Sequence, residues 1–355
     1  MDEYSMYVGL DLGDRTADVC VLDLGGEIEE VSQIRLERKA LVRFFGGRER
    51  CAVALESGTH SRWVQDLLLE LGHVAVVANA LKVREVFTNE YKSDRRDAEM
   101  LARLLRADAR LLSPVVHRSR QAQADLAVIK TRDHLVRERS KAINYVRGTV
   151  KSYGNRLRSC SAESFHRRAS EDIPGDLLPA LQTMLDHIAS LTQRIRELDR
   201  AIATIAKERY PETKRLMSVR GVGPLTALAF VLTVEDPNRF EKSRTVGAFF
   251  GLVPRRDQSG NRDPRLPISK CGDGYMRRLL VSAAQYILGP FGQDSALRDW
   301  GLQRAQGEGR GAKRAAVVGV ARRLAVLLHR LWIDDTDFVP YPKKSKRQRV
   351  LATIT

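Results

Sequence analysis

The stretch NEYKSDRRDAEML, residues 89–101, sets two carboxylates, Asp94 and Asp97, among Lys92, Arg95 and Arg96. Three residues apart, the two acids share one face of a helix, and Ser93 stands where an N-cap belongs. Two further acids close apolar runs: Asp11 ends the strand-like MYVGLDLG and Glu56 ends CAVALES. Carboxylates at the ends of neighbouring strands can converge with two more on a nearby helix. Such hard oxygen donors suit Mg2+ or Mn2+ rather than zinc. A pair of those ions about 3.5–4 Å apart clamps the attacking and leaving oxygens of a phosphodiester. Taken singly, each acid has a plainer reading, Asp11 as a turn residue and Glu56 as a cap for SGTHS.

The rest of the composition bears on that chemistry. The 355 residues exceed what one core usually serves, so two or three domains are expected. A formal charge of +16 and a pI near 10.0 point to a polyanionic partner, of which nucleic acid is the commonest. Lys92, Arg95 and Arg96 would then face phosphates beside the metal. Cys20, Cys51, Cys160 and Cys271 form no C-x-x-C pair, which argues against zinc and disulfides and fits a reducing cytosol. The opening MDEYSMYVGL lacks the basic start and long apolar core of a signal peptide, and apolar runs such as LTALAFVLTV are too short to span a bilayer. No membrane is expected.

The elements that must position the acids follow from periodicity. MYVGLDLG, TADVCVLDL and EIEEVSQIRL read as three strands joined by tight turns, with Gly25-Gly26 in the second. Helix RKALVRFF, strand CAVALES, helix SRWVQDLLLEL and strand HVAVVA follow as β-α-β crossovers. The expected fold of residues 1–115 is therefore α/β, a mixed sheet with helices packed on it. Residues 116–210 read as all-α. Gln121 to about Ser152 holds no Pro and a single Gly, and GNRLRSCSAESFHRRASEDIPG reads as a polar loop. A second long helix from Asp176 to about Arg209 carries Leu181, Met184, Ile188, Leu191, Ile195, Leu198, Ile202 and Ile205 in steps of three and four. That is a heptad seam, a coiled coil whose partner is either the preceding helix or a second subunit.

Residues 211–335 read as a mainly helical block. SVRGVGPLTAL places Gly221 and Gly223 in a turn resembling half of a helix-hairpin-helix, able to hold one phosphate on backbone N–H groups. A basic, Gly-containing stretch, RRDQSGNRDPRLPISKCGDG, precedes helix YMRRLLVSAAQYIL, and AKRAAVVGVARRLAVLLHRLW closes the block. Arg255, Arg256, Arg262, Arg265, Lys270 and Arg277 are its candidate nucleic-acid contacts. Residues 336–355 form a basic tail containing KKSKRQR, a specific contact or a solvated end. His60 and His134 are assigned no role.

The order of these motifs resembles a known family. GLDLG, the strand ending LES, and KSDRRDA are similar to the RuvC-like (RNase H-like) domain of the DEDD transposases of bacterial insertion sequences. SVRGVGPLTAL, RFEKSRTVGAFFGLVP, the SG dipeptide and ISKCGDGYMRRLL resemble the same family's C-terminal transposase domain, and RDHLVRERSKAINYVRG resembles the helical region between. The resemblance runs from about Tyr7 to Leu288. It implies a DNA recombinase in which Asp11, Glu56, Asp94 and Asp97 bind divalent metal and Ser259, in RRDQSGNRD, attacks the phosphodiester. It also implies a bridge RNA pairing with target and donor DNA. Joining two duplexes calls for a homo-oligomer (dimer or tetramer), held in part by the helix Asp176 to Arg209, and the expected location is bacterial, cytoplasmic and nucleoid-associated. Asn261 stands where the family commonly has a second glycine, which bears on the loop's shape. Around Ser259 the basic residues already named would stabilise charge on the phosphorus and lower the serine's effective pKa. Ser269 and Tyr275 are rival hydroxyls.

Three other readings compete. GLDLG also opens sugar kinases and other actin-like ATPases, but neither their second phosphate loop nor an adenosine motif follows. A RuvC-like resolvase or endonuclease would use the same acids to activate water, without a serine. A non-catalytic nucleic-acid-binding protein would have little use for acids that repel phosphate.

Overall fold

The structure, a computed structural model, describes residues 4–80, 82–83, 93–259, 262, 264, 266–307 and 311–342. The KKSKRQR run lies outside the described residues. The chain divides into two compact units, Met1–His117 and Arg118–Thr355. No helix among the described residues is long and apolar enough to cross a membrane.

The first unit is built on five strands, β1 (Tyr7–Leu12), β2 (Thr16–Leu22), β3 (Ile28–Arg35), β4 (Ala52–Glu56) and β5 (Val74–Ala78), in the order β3-β2-β1-β4-β5. β1, β2 and β3 are antiparallel because short turns join them. The Gly13 N–H donates to the Thr16 carbonyl at 2.9 Å. Asp23 Oδ1 accepts from the N–H groups of Gly26 (2.6 Å) and Glu27 (2.8 Å). That turn holds Gly26 at φ +94°, a left-handed conformation that suits glycine. β4 pairs parallel to β1 and to β5. Helices α1 (Arg38–Phe45) and α2 (Ser61–Glu70) supply the crossovers that parallel strands need.

Alternation along the strands divides the sheet into two faces. Val8, Leu10, Val53 and Leu55 pack with Leu41 and Phe45 of α1 and Val64 and Leu67 of α2. The opposite face carries Tyr7, Gly9 and Asp11 of β1 beside Ala52, Ala54 and Glu56 of β4. It is covered by α3 (Asp94–Ala107), whose Leu101, Leu104 and Leu105 pack with Ala52 and Ala54, while Ala98 and Ala102 pack with Cys20 and Leu22 of β2. A Cβ at Gly9 would lie 2.8 Å from the Ala102 amide nitrogen and closer still to the Ala98 carbonyl oxygen. The helix thus rests directly on the backbone of β1. Its far end is pinned to the β2–β3 turn: Arg106 donates to the carbonyls of Leu24 (3.1 Å) and Gly25 (2.6 Å), and Arg103 to that of Gly26 (3.3 Å).

In the second unit, α4 (Arg120–Ser152) and α6 (Leu178–Arg209) form an antiparallel pair, so the partner of the apolar seam is the preceding helix of the same chain. Ala142, Val146 and Val150 meet Leu181, Leu185 and Ile188 at one end. Ala122, Leu126 and Ile129 join Ile202 and Ala206 at the other. The buried stripe on α6 is rotated from the expected one. Leu185, Thr192 and Ala206 are buried, whereas Met184, Leu198 and Ile205 are half-buried. The cause lies on α4, where buried Arg139 donates to Thr192 Oγ1 at 3.3 Å and Arg132 pairs with Asp199 at 2.8 Å. Those polar pairs must face each other, and they turn the helix.

The expected loop after α4 is a correction: residues 165–172 form helix α5 (Phe165–Asp172). Phe165, Ala169 and Ile173 recur every four residues and are buried against α4 and α6, a signal hidden among six charged or histidine neighbours between residues 163 and 172. Beyond α6 come α7 (Thr213–Met217), α8 (Pro224–Val234), α9 (Val246–Phe249), α10 (Gly274–Leu288), α11 (Ala296–Ala305) and α12 (Ala312–Ile333). α8 is buried from Thr226 to Val234, as a helix apolar on every side must be. A single core joins α8, α10 and α12 to the adjoining ends of α4 and α6.

The contact at Gly9 allows a direct test. Gly9→Ala is expected to destabilise the protein by about 1–3 kcal/mol, the usual cost of overpacking, read as a lowered thermal midpoint. A midpoint equal to the wild type's would mean that α3 does not depend on this approach.

Candidate metal centre

β1 and β4 pair in register, with Leu10 opposite Leu55. Asp11 and Glu56 are the next residue on each strand, so they stand side by side about 4.8 Å apart across the sheet. Both belong to the face that α3 covers. The helix starts with Asp94 and Asp97 in its first turn. One carboxylate oxygen from each of Asp11, Asp94 and Asp97 lies within 4.8 Å of the others, with Asp11 and Asp97 half-buried and Asp94 exposed. Glu56 is not within that trio. It lines, with Asp11, Asp14 and His60, a cavity of about 340 Å³ at the strand ends. Three carboxylates so close are a donor set that fits a hard divalent cation, and the start of α3 adds a positive helix end that favours them.

The neighbours differ from expectation in detail. Ser93 has the extended backbone of an N-cap (φ −147°, ψ 143°), yet its side chain makes no capping bond. Arg95 and Arg96 are exposed on the first turn of α3, and Lys92 lies outside the described residues. His60, which sequence reasoning passed over, lines the cavity of Asp11 and Glu56. The Trp63 indole N–H donates to its Nδ1 at 3.1 Å, which leaves the proton of the neutral ring on Nε2, 3.9 Å from Asp14 Oδ1. The only sequence signal was the three-residue spacing from His60 to Trp63, legible once the helix start is known.

The serine loop belongs to the second unit. Ser259 is exposed and exchanges both backbone hydrogen bonds with Arg262, at 3.1 and 2.9 Å. Pro254 and Ile268 pair at the base of the same loop. Arg255, Arg256, Arg262 and Lys270 are exposed, Lys270 at φ +57°, and Arg265 lies outside the described residues. Arg277 is turned inward, donating to the carbonyls of Phe250 (3.0 Å) and Cys271 (2.9 Å). Of the rival hydroxyls, Ser269 is half-buried with its N–H on the Val253 carbonyl at 2.8 Å. The Tyr275 hydroxyl is buried, and burial pushes its pKa up to about 12, a poor state for a nucleophile. Gly221, at φ +100°, and exposed Gly223 join α7 to α8.

A mixed five-stranded sheet with carboxylates at its strand ends is compatible with the RNase H/RuvC-like class of domains. Comparison with known proteins narrows the class. A transposase family model of the DEDD, IS110 type matches residues 8–155, and that of the Transposase IS116/IS110/IS902 family matches residues 213–298. The chain is 29% identical over 289 residues to a probable family 20 transposase of Pseudomonas aeruginosa, covering 79% of this chain and 83% of the relative. It is 28% identical to the transposase for insertion sequence element IS1111A of Coxiella burnetii (79% and 77% covered) and to that for IS1328 of Yersinia enterocolitica (82% and 87% covered). The chain belongs to the IS110-type family of insertion-sequence transposases, whose DEDD acids imply use of a divalent metal.

Binding at this site is measurable without catalysis. Mg2+ or Mn2+ at a hundredfold excess over its dissociation constant would stabilise the fold by about 2.7 kcal/mol, seen as a rise in thermal midpoint. Asp94→Asn is expected to abolish most of that rise. A variant that responds to metal as the wild type does would remove Asp94 from the site.

Proposed function

We propose that this transposase cuts and rejoins DNA strands with two sets of residues, a metal site formed by Asp11, Glu56, Asp94 and Asp97, and Ser259 as nucleophile. The convergence of Asp11, Asp94 and Asp97 within 4.8 Å is the observation that carries the reading. When bound, Mg2+ or Mn2+ would supply Lewis-acid stabilisation of the charge that develops on phosphoryl oxygens. Ser259 Oγ attacks phosphorus and loses its proton. The bridging P–O bond to the departing strand breaks, and that strand end leaves as a hydroxyl after taking up a proton. The phosphoserine ester so formed keeps the energy of the broken bond, and attack by a hydroxyl of the incoming strand reverses the step. The exposure of Ser259 and the basic side chains of its loop, Arg255, Arg256 and Arg262, support this assignment.

Sequence choice is delegated, in this reading, to a bridge RNA paired with target and donor DNA, which leaves the protein to hold backbone and shape. The turn at Gly221 and Gly223, with Arg95, Arg96 and Lys270, would hold phosphates. Joining two duplexes calls for a dimer or tetramer. Sequencing of RNA that co-purifies with the protein tests the guide, and light scattering with and without nucleic acid tests the assembly.

A suicide substrate separates the chemistries. The wild type is expected to give a covalent protein–DNA adduct on a denaturing gel, lost in Ser259→Ala. Asp94→Asn is expected to lower cleavage by at least about a hundredfold, as for removal of a major charge-stabilising group. Adduct loss in Ser269→Ala instead would reassign the nucleophile. Metal-dependent cleavage with no adduct would replace the recombinase reading with hydrolysis by a RuvC-like endonuclease.

A further inference from the structure

The second unit holds a cavity of about 960 Å³ between α11, α12, the segment 338–342 and the residues Leu252, Pro254, Leu266, Pro267 and Ile268. Six arginines line it: Arg244, Arg304, Arg314, Arg322, Arg323 and Arg330. No aspartate or glutamate is among its described lining residues. None of the six arginines makes an ion pair with a carboxylate among the described residues. Surface arginines elsewhere in this unit behave otherwise, Arg215 pairing with Asp335 and Asp337, and Arg158 with Glu171 and Asp172. Among the described residues, the groove gathers like charge with no carboxylate to neutralise it.

Its shape is built. Gly247 makes room for the Arg322 stem, since a Cβ there would lie 2.8 Å from Arg322 Cγ. Gly319 does the same for the Trp300 ring, 2.9 Å from a Cβ. Arg323 stacks on that ring at 3.8 Å and Arg304 lies 5.7 Å from it. Burial and the charge of Arg304 draw Arg323 below the usual arginine range. The floor is apolar, with Leu297, Val318, Leu327 and Phe338.

We propose that this groove binds a single strand of DNA, with phosphates on the arginine rim and bases on the apolar floor and the Arg323 guanidinium plane. A duplex keeps its base faces stacked inside and would leave the apolar floor uncovered. A single strand exposes base faces, which stack on apolar surface and guanidinium planes. Among the described lining residues no side chain can accept from a 2′-hydroxyl, the group by which proteins single out RNA, so these side chains offer no such handle for selecting RNA. The proposal takes from the preceding section only that DNA is a partner. It involves neither the acids nor Ser259.

The test uses the full chain in EDTA, so that failure here leaves the metal and serine chemistry untouched. Arginine modification by p-hydroxyphenylglyoxal, mapped by mass spectrometry, is compared with and without an oligo(dT) of about 15 nucleotides, near the upper end of single-strand site sizes. Oligo(dT) is expected to shield Arg314, Arg322, Arg323 and Arg330 while exposed Arg110 of the first unit reacts unchanged. Fluorescence anisotropy should find Arg314→Ala/Arg330→Ala about tenfold weaker for oligo(dT), with a salt slope shallower by about 1.4, the loss of two phosphate contacts to a single strand. Equal modification with and without oligo(dT) would overturn the proposal, and so would an unchanged salt slope in a folded variant. Stronger shielding by oligo(U) or by a duplex of the same length would overturn the assignment to single-stranded DNA. Should the double variant fail to fold, the wild-type footprint still decides.

Discussion

The candidate metal centre depends on one steric fact, that α3 lies on the bare backbone of β1 at Gly9. Aspartate side chains are short. Asp94 and Asp97 reach Asp11 only because nothing separates the helix from the strand, with Ala98 and Ala102 on one side and a glycine on the other. A methyl group at residue 9 would force the helix outward, and misplacement of reacting groups by about 1 Å can cost a hundredfold in rate. The clamps from Arg103 and Arg106 to the β2–β3 turn then fix how far the helix slides along the strand. Close approach sets the height of the acids and the clamps set their register.

The second constraint is electrostatic. Two half-buried carboxylates with oxygens 4.8 Å apart repel by roughly 3 kcal/mol at an effective dielectric constant near 20, and Asp11 and Asp97 lie within that distance. A helix N-terminus returns about 0.3–1 kcal/mol, and a bound cation would add to that compensation. The arginine groove of the second unit poses the same problem with the sign reversed. A chain of net charge +16 that gathers acids in one place and, among its described residues, arginines without carboxylate partners in another suits a metal ion at the first and a polyanion at the second.

Much of the first unit was legible in the sequence because its signals are local. The turn at Gly25-Gly26, the alternating strands and the apolar helix stripes mark three hairpin-joined strands and two crossovers of a mixed sheet, while the β3-β2-β1-β4-β5 order, with β1 beside β4, comes from the structure. Asp11 and Glu56 could be singled out because each ends a strand. The role of Gly9 could not, since a strand glycine is equally consistent with a bulge or an edge, and its partner α3 begins some eighty-five residues later. The rotation of α6 was hidden for a similar reason, being set by Arg132 and Arg139 on another helix. Helix α5 was masked by its charged exposed face. The groove arginines are scattered from Arg244 to Arg330, so no run of charge marks them. Ser259 became a candidate through family resemblance, because Ser-Gly alone is an ordinary turn.

Anomalous diffraction from crystals soaked in Mn2+ tests the central claim most directly. The account predicts manganese density bonded to the carboxylates of Asp11, Asp94 and Asp97, with α3 in contact with β1 at Gly9. Manganese bound elsewhere at saturating concentration, with these three carboxylates free of metal, would contradict it.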